Sequence, residues 1–420
     1  MYDTGSRCEI MVGGCYRIAA ILMMFDDLSG KCLLRDSTKT NRGATMATRR
    51  ELLIGGAALA ASAAARRAGA ATTGFSDQDY RRAIVIDGLG GVDDPYSPQE
   101  ATVLDPRAVA DLKTSGLTMS HVTVNTVGNG ADVWEKTIIT IARVDRWITD
   151  NPEVLVKVST TADIRRAKRE GKSAVLYGTQ DTSLVGADLD RLALLRGLGV
   201  RSVQLTYNLR NLCGDGSLEP GNVGLSKLGY ATIARIEKEK MLVDFSHGGQ
   251  RTIAEGIAAT TRPPIISHTG CRALHDNPRN VWDAEMKACA DKGGVVGIYW
   301  MPFLVANSRP SSADLVRHMD HVKNLCGEDH VSIGTDGSLS KTVIDDKSRA
   351  AQKKFYEDRA AQGIAAPGEG PDIFNIVADW DDIMRYRHLA DGLSKAGWAT
   401  GQVEKALGGN LMRVYAQSFG

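Results

Sequence analysis

The 420-residue chain has almost no excess of charge: Lys and Arg total 51 against 50 Asp and Glu, a net charge of +1. That removes the electrostatic case for a nucleic-acid or polyanion partner, which requires a basic face. Proline is sparse at 12 residues and hydrophobic residues make up 43%, a balance foreign to disordered or collagen-like chains and sufficient for a large core. Cysteine is thin as well. Cys8, Cys15 and Cys32 lie near the N-terminus, and Cys213, Cys271, Cys289 and Cys326 form no CxxC pair, which disfavours a zinc ribbon or a thioredoxin site. These four read as small core residues, with one disulfide open to them in an oxidising compartment. The apolar run from Leu52 to Ala65 falls short of the about 20 residues that a spanning helix needs, so no stable membrane span is expected.

That run belongs to an address. Residues 46–70 hold Arg49 and Arg50, then Leu, Ile, Ala and Gly, then small residues, the outline of a twin-arginine export signal with cleavage expected near Ala70. Residues 1–45 sit upstream of that signal, and Met46 is read as the true start. Residues 75–420 are expected to form one domain, periplasmic or secreted.

Within that domain eight β-rich runs recur, each followed by a stretch with helical spacing: Ile84 to Ile86, Met119 to Val124, Ser173 to Tyr177, Val203 to Thr206, Met241 to Phe245, Ile265 to Ser267, Gly294 to Tyr299 and Val331 to Ile333. Continuous apolar strands alternating with helices imply a parallel sheet buried on both faces. Eight units close a (β/α)8 TIM barrel. A doubly wound open sheet is the alternative, and the missing GxGxxG after the first strand counts against its dinucleotide-binding version. A polar helical stretch, Asp346 to Ala365, a turn-rich loop, Ala366 to Pro371, and a helical tail from Trp380 to Gln417 follow.

Side chains at the C-terminal ends of barrel strands meet in a common mouth. The fifth strand ends in Asp244-Phe245-Ser246-His247, the sixth in Ser267-His268, the eighth in Gly334-Thr335-Asp336 and the third in Thr179-Gln180-Asp181. A His pair with an Asp suits zinc or a similar divalent ion. The third ligand beside His247 and His268 is open among Asp336, Asp181 and His121, and Asp93 and Asp94 lie in a loop able to reach the mouth.

These residues sit inside a longer resemblance. Leu205-Thr206-Tyr207-Asn208, Met241 to His247, Pro264 to His268, Pro278-Arg279-Asn280-Val281-Trp282-Asp283, Ile333 to Asp336 and Gly408-Gly409-Asn410, in this order, resemble the membrane dipeptidase (renal dipeptidase) family of zinc peptidases, peptidase family M19. The resemblance implies a metallo-dependent hydrolase barrel with a two-zinc site: an HxD pair after the first strand, a bridging Glu after the third, and a His from each of the fifth and sixth. His247 and His268 match the last two. Asp336 matches the catalytic aspartate and Arg279 the clamp for the substrate carboxylate, with Asn280 read as part of that substrate-binding set. The other half departs from the family: Leu89-Gly90-Gly91 stands at the HxD position, Gln180, a weak neutral oxygen donor kept with His247, His268 and Asp336 in the expected metal set, at the bridging Glu, and Tyr207 at a substrate-facing His. One ion is therefore expected rather than two, because Asp336 alone remains to offset the charge.

The expected function is exported metallohydrolysis of a dipeptide or another small carboxylate-bearing amide. Metal-activated water attacks, Asp336 orients or deprotonates it, and Tyr207 donates to the oxyanion. The alternative is a barrel that binds a small molecule or runs a metal-free reaction. A homodimer fits the apolar barrel exterior and the family likeness.

Overall fold

The computed structural model describes residues 74–95, 101–128 and 130–420. The export signal and the leader expected before it lie outside the described residues.

Nine parallel strands occur among the described residues: β1 Ile86–Asp87, β2 Met119–Thr123, β3 Leu155–Lys157, β4 Ser173–Thr179, β5 Val200–Gln204, β6 Leu242–Asp244, β7 Ile265–Thr269, β8 Val295–Ile298 and β9 Val331–Ile333. Eight follow the order β1-β2-β4-β5-β6-β7-β8-β9, and Gly88 N–H donates to Ile333 O at 2.8 Å across the remaining gap. The expected (β/α)8 TIM barrel is the fold. The unexpected strand is β3, which pairs only with the start of β4, from Leu155↔Ser173 to Lys157↔Val175. Three residues behind a helix carry too short a pattern to be read as a strand. The β5 run also begins earlier than expected, at Val200, because Arg201, Ser202 and Gln204 are polar and yet buried. Arg201 is accommodated there by donating to the carbonyls of Ser159 and Val200, both at 2.9 Å.

Local signals set the helix ends. Ser226, Ser311 and Asp345 cap their helices by accepting from Gly229, Asp314 and Ser348 N–H, the usual satisfaction of unpaired first-turn donors. The helix Asp346–Ala361 buries only Ser348 and lends Phe355 and Arg359 to the wall of the cavity described below. The tail forms helices Arg385–Lys395, Thr400–Glu404 and Asn410–Ser418. Leu411, Val414 and Tyr415 of the last helix pack with Ile86, Met119 and Ile265, which closes the barrel floor opposite the chemistry. No helix among the described residues is long and apolar enough to cross a membrane.

Candidate active site and metal centre

The barrel mouth opens into a cavity of about 400 Å³ whose lining includes Gln180, Tyr207, His247, Arg279 and Asp336. His247 follows β6, His268 lies in β7 and Asp336 follows β9. One ligand atom from each lies within 4.8 Å of the other two, so modest side-chain rotation brings all three onto a single ion. His247 and Asp336 hold left-handed backbone, with φ 63° and 57°. That conformation is costly for a non-glycine residue and is often found where geometry serves a site.

Hydrogen bonds settle the tautomers. His247 Nδ1 lies 2.6 Å from Asn208 Oδ1, and the Asn208 amide nitrogen donates to Ile364 O at 2.7 Å, so the oxygen must accept from the ring. His268 Nδ1 lies 2.8 Å from Ser267 Oγ. The Ser267 hydroxyl itself donates to Asp244 Oδ2, which leaves its oxygen to accept from His268. Both rings therefore carry their proton on Nδ1 and present an Nε2 lone pair. Those Nε2 atoms are buried and lack a hydrogen-bond partner. Burial, then Arg279, pushes both imidazoles well below their usual pKa, so they stay neutral. Two neutral imidazoles with orphaned lone pairs beside a carboxylate fit a divalent metal ion.

Asp336 is pushed up to about 6 by burial, opposed by Arg279 and Arg359 and by a hydrogen bond with the Gln180 side chain. Arg279 is 2% exposed, and its Nη2 has no hydrogen-bond partner. It is not paired with Asp283, whose carboxylate lies 2.8 Å from His321 Nε2. Tyr207 stacks on His247 with ring centroids 4.1 Å apart. Its hydroxyl accepts from Arg359 Nη1 at 2.9 Å, so its own proton is free to donate.

Other expected residues turn elsewhere. Asn280 donates to the carbonyls of His275 and Phe303, at 2.8 and 2.9 Å, and accepts from Tyr299; its amide supports the loop instead of facing the cavity. Asp181 is bound to Asn125, Gly128 N–H and the Ser183 hydroxyl, and Asp94 pairs with Arg107 at 2.6 Å. His121 presents a third orphaned Nε2, but its ring is pinned by Gly88 O at 2.7 Å and lies over Gly178, where a Cβ would come 1.7 Å from Nε2. It is not in the group formed by His247, His268 and Asp336.

At the HxD position Leu89 is buried and supplies no ligand. The acid of that segment is Asp87, fully engaged by Thr335 N–H at 2.8 Å, the Thr335 hydroxyl at 2.5 Å and the Tyr386 hydroxyl at 2.8 Å. It ties β1 to the turn that carries Asp336. Asp87, Asn208, Ser267 with Asp244, and Arg359 with Glu369 were not singled out from sequence. Asn208, Asp244 and Ser267 lay inside motifs quoted there, Leu205 to Asn208, Met241 to His247 and Pro264 to His268, but nothing in those motifs marked them as the groups that orient the histidines.

A family model described as membrane dipeptidase (peptidase family M19) matches residues 107–351, more than half of the chain. The chain belongs to this family. Among its relatives, the dipeptidase tcpJ of Claviceps purpurea (strain 20.1) is 26% identical over 279 residues, 65% of this chain and 57% of that protein; the aligned chain thus spans little more than half of that relative's length. A solved amidohydrolase from Pseudomonas aeruginosa is 29% identical, with a TM-score of 0.69 over 81% of this chain and 98% of that one. A metallo peptidase from Rhodobacter sphaeroides, solved with a phosphinate mimic of the dipeptide L-Ala-D-Ala, shares the fold at 18% identity, with a TM-score of 0.63 over 80% of this chain and 99% of that one.

Proposed function

We propose that this chain hydrolyses the amide bond of a small, carboxylate-bearing, dipeptide-like substrate, using one divalent metal ion, zinc first among the candidates. The observation that carries the reading is the pair of orphaned, buried Nε2 lone pairs of His247 and His268 beside Asp336. These three residues would hold the ion. When bound, it would supply Lewis-acid polarisation of the scissile carbonyl and the attacking water.

The chain's own residues account for the rest. The Asp336 carboxylate, set beside the two histidines at the cavity, accepts a proton from water and passes it to the leaving nitrogen. Arg279 directs its unpartnered nitrogen at the substrate carboxylate, a charge-assisted pairing suited to its planar fork. The free Tyr207 proton donates to the developing oxyanion, while Arg359 holds the phenol in place. The Rhodobacter sphaeroides relative's dipeptide mimic supports a substrate of this size.

Metal analysis of protein purified without chelator, alongside a hydrolysis screen with and without zinc, tests the reading. The expected result is about one ion per chain, lost in His247→Ala and His268→Ala together with hydrolysis. A second reading, a binding barrel without hydrolysis, draws on Leu89, Gly91 and Gln180 at the departed ligand positions. Failure to retain metal after reconstitution decides for it. Export through residues 46–70 is proposed from the Arg49-Arg50 signal, and the N-terminal sequence of periplasmic protein tests it.

A further inference from the structure

Three carboxylates line the cavity among the described residues: Asp336, Glu369 and Asp381. Glu369 is taken on both oxygens by Arg359, at 2.6 and 2.8 Å, and by Ala366 N–H at 2.8 Å. Asp381 is taken by Arg385 at 2.9 Å and Thr342 N–H at 3.0 Å. Asp336 faces the two histidines and hydrogen-bonds with Gln180. Gln180 is neutral, and Leu89, Gly90 and Gly91 add no charge. The guanidinium of Arg279, by contrast, is buried with a nitrogen unpartnered, and Arg359 and Arg385 line the same cavity. The rest of the lining carries no charge: Met301, Phe303, Phe374 and Ile376 form an apolar stretch beside neutral polar groups such as Gln352 and Asn375.

A free dipeptide brings a carboxylate and an ammonium. The first has a partner waiting in Arg279; the second meets, among the described residues, only cations and acids already engaged, and a buried charge without a counter-charge is strongly disfavoured. We infer that the substrate lacks the ammonium: the cavity is built for an N-acyl amino acid whose apolar acyl tail lies along Met301, Phe303 and Phe374. The inference rests on the hydrolase reading above. In the reaction, the water oxygen bonds to the acyl carbon and the amide C–N bond breaks. Both water protons end on the leaving nitrogen, giving an acyl carboxylate and a free amino acid, with no oxidant or reductant involved.

The test compares propionyl-phenylalanine with alanyl-phenylalanine, in both configurations of the phenylalanine, using zinc-loaded enzyme at pH 7. The two differ only by the ammonium. The expected result is a kcat/KM at least about tenfold higher for the propionyl substrate, rising further with a hexanoyl tail. Raising the pH to 9 deprotonates the alanyl amine, whose pKa is about 8, and the ratio should shrink; a purely steric preference would not move. Gln180→Glu, which returns a carboxylate to the cavity, should lower the ratio by about tenfold. A ratio within one preparation does not depend on how much of a variant folds. Equal or better cleavage of alanyl-phenylalanine overturns the substrate class and leaves the hydrolase standing. Cleavage of neither by metal-loaded enzyme overturns the hydrolase reading and this inference with it.

Discussion

Replacing Arg279 with methionine should make the protein more stable and less active at once. The guanidinium is 2% exposed, and its Nη2 has no partner. A buried polar group left unsatisfied costs about 1–3 kcal/mol. Methionine matches the length of the Arg stem, keeps its packing beside Tyr299 and removes that penalty, so Arg279→Met is expected to raise stability by about 1–2 kcal/mol. In a domain of this size that is a rise in Tm of a few degrees at most. For a carboxylate-bearing substrate, truncating one partner of a hydrogen-bonded charge pair costs about 2–5 kcal/mol, roughly a 30-fold or greater fall in kcat/KM. The assay pairs thermal melts with kinetics on one substrate as free carboxylate and as carboxamide. Only the carboxylate form should suffer the large loss. A lower Tm, or equal losses on both forms, would refute the reasoning and make Arg279 a structural residue.

Three further outcomes are expected. Asn208→Ala removes the acceptor that orients His247, and chelator-competition titration should find zinc affinity down by about 10- to 100-fold; Asn208→Asp keeps an acceptor and should retain affinity although it loses the bond to Ile364 O. His318 is held neutral, with Cys271 N–H donating to Nδ1 and Nε2–H donating to Leu304 O, and burial pushes it from 6.5 down to about 4. The unfolded chain takes up this proton below pH 6.5 and the native state only near 4, so stability is full above that window and falls by roughly 3 kcal/mol across it; urea midpoints of His318→Gln should lack this component of the pH dependence. Gly178→Ala drives a Cβ to within 1.7 Å of His121 Nε2 and should destabilise by about 3 kcal/mol. Adding His121→Ala should restore part of that loss, a coupling read directly in a double-mutant cycle.

Much of this architecture could be read from residue order because it depends on repetition. Eight apolar runs between helical stretches specify a barrel, and a barrel brings strand ends together whatever their separation in sequence. That is why His247, His268 and Asp336 could be named as one group, whereas Arg279, in the loop after Thr269, was legible only through the family resemblance. The residues that orient them follow no such rule. Ser267 matters because Asp244, one strand away, holds its hydroxyl. Arg359 lies on a polar helix 152 residues from the Tyr207 it holds, and nothing in the local pattern ties the two together. Asn280 shows the converse: its place beside Arg279 suggested a ligand contact, whereas carbonyls of His275 and Phe303 claim its amide. β3 was missed for a third reason, since it makes a single short pairing and contributes no rung to the closed ring.

The closure between β1 and β9 has a wider consequence. Gly88 N–H to Ile333 O, Asp336 N–H to Leu89 O and the Asp87–Thr335 bonds are the stitches that shut the cylinder, and the same few residues deliver the carboxylate to the reacting centre. Any breathing motion that parts this edge dismantles the chemistry before the rest of the molecule loosens. Amide exchange at Gly88 and Asp336 would therefore serve as a local gauge of competence, slowed by anything that braces the mouth from within.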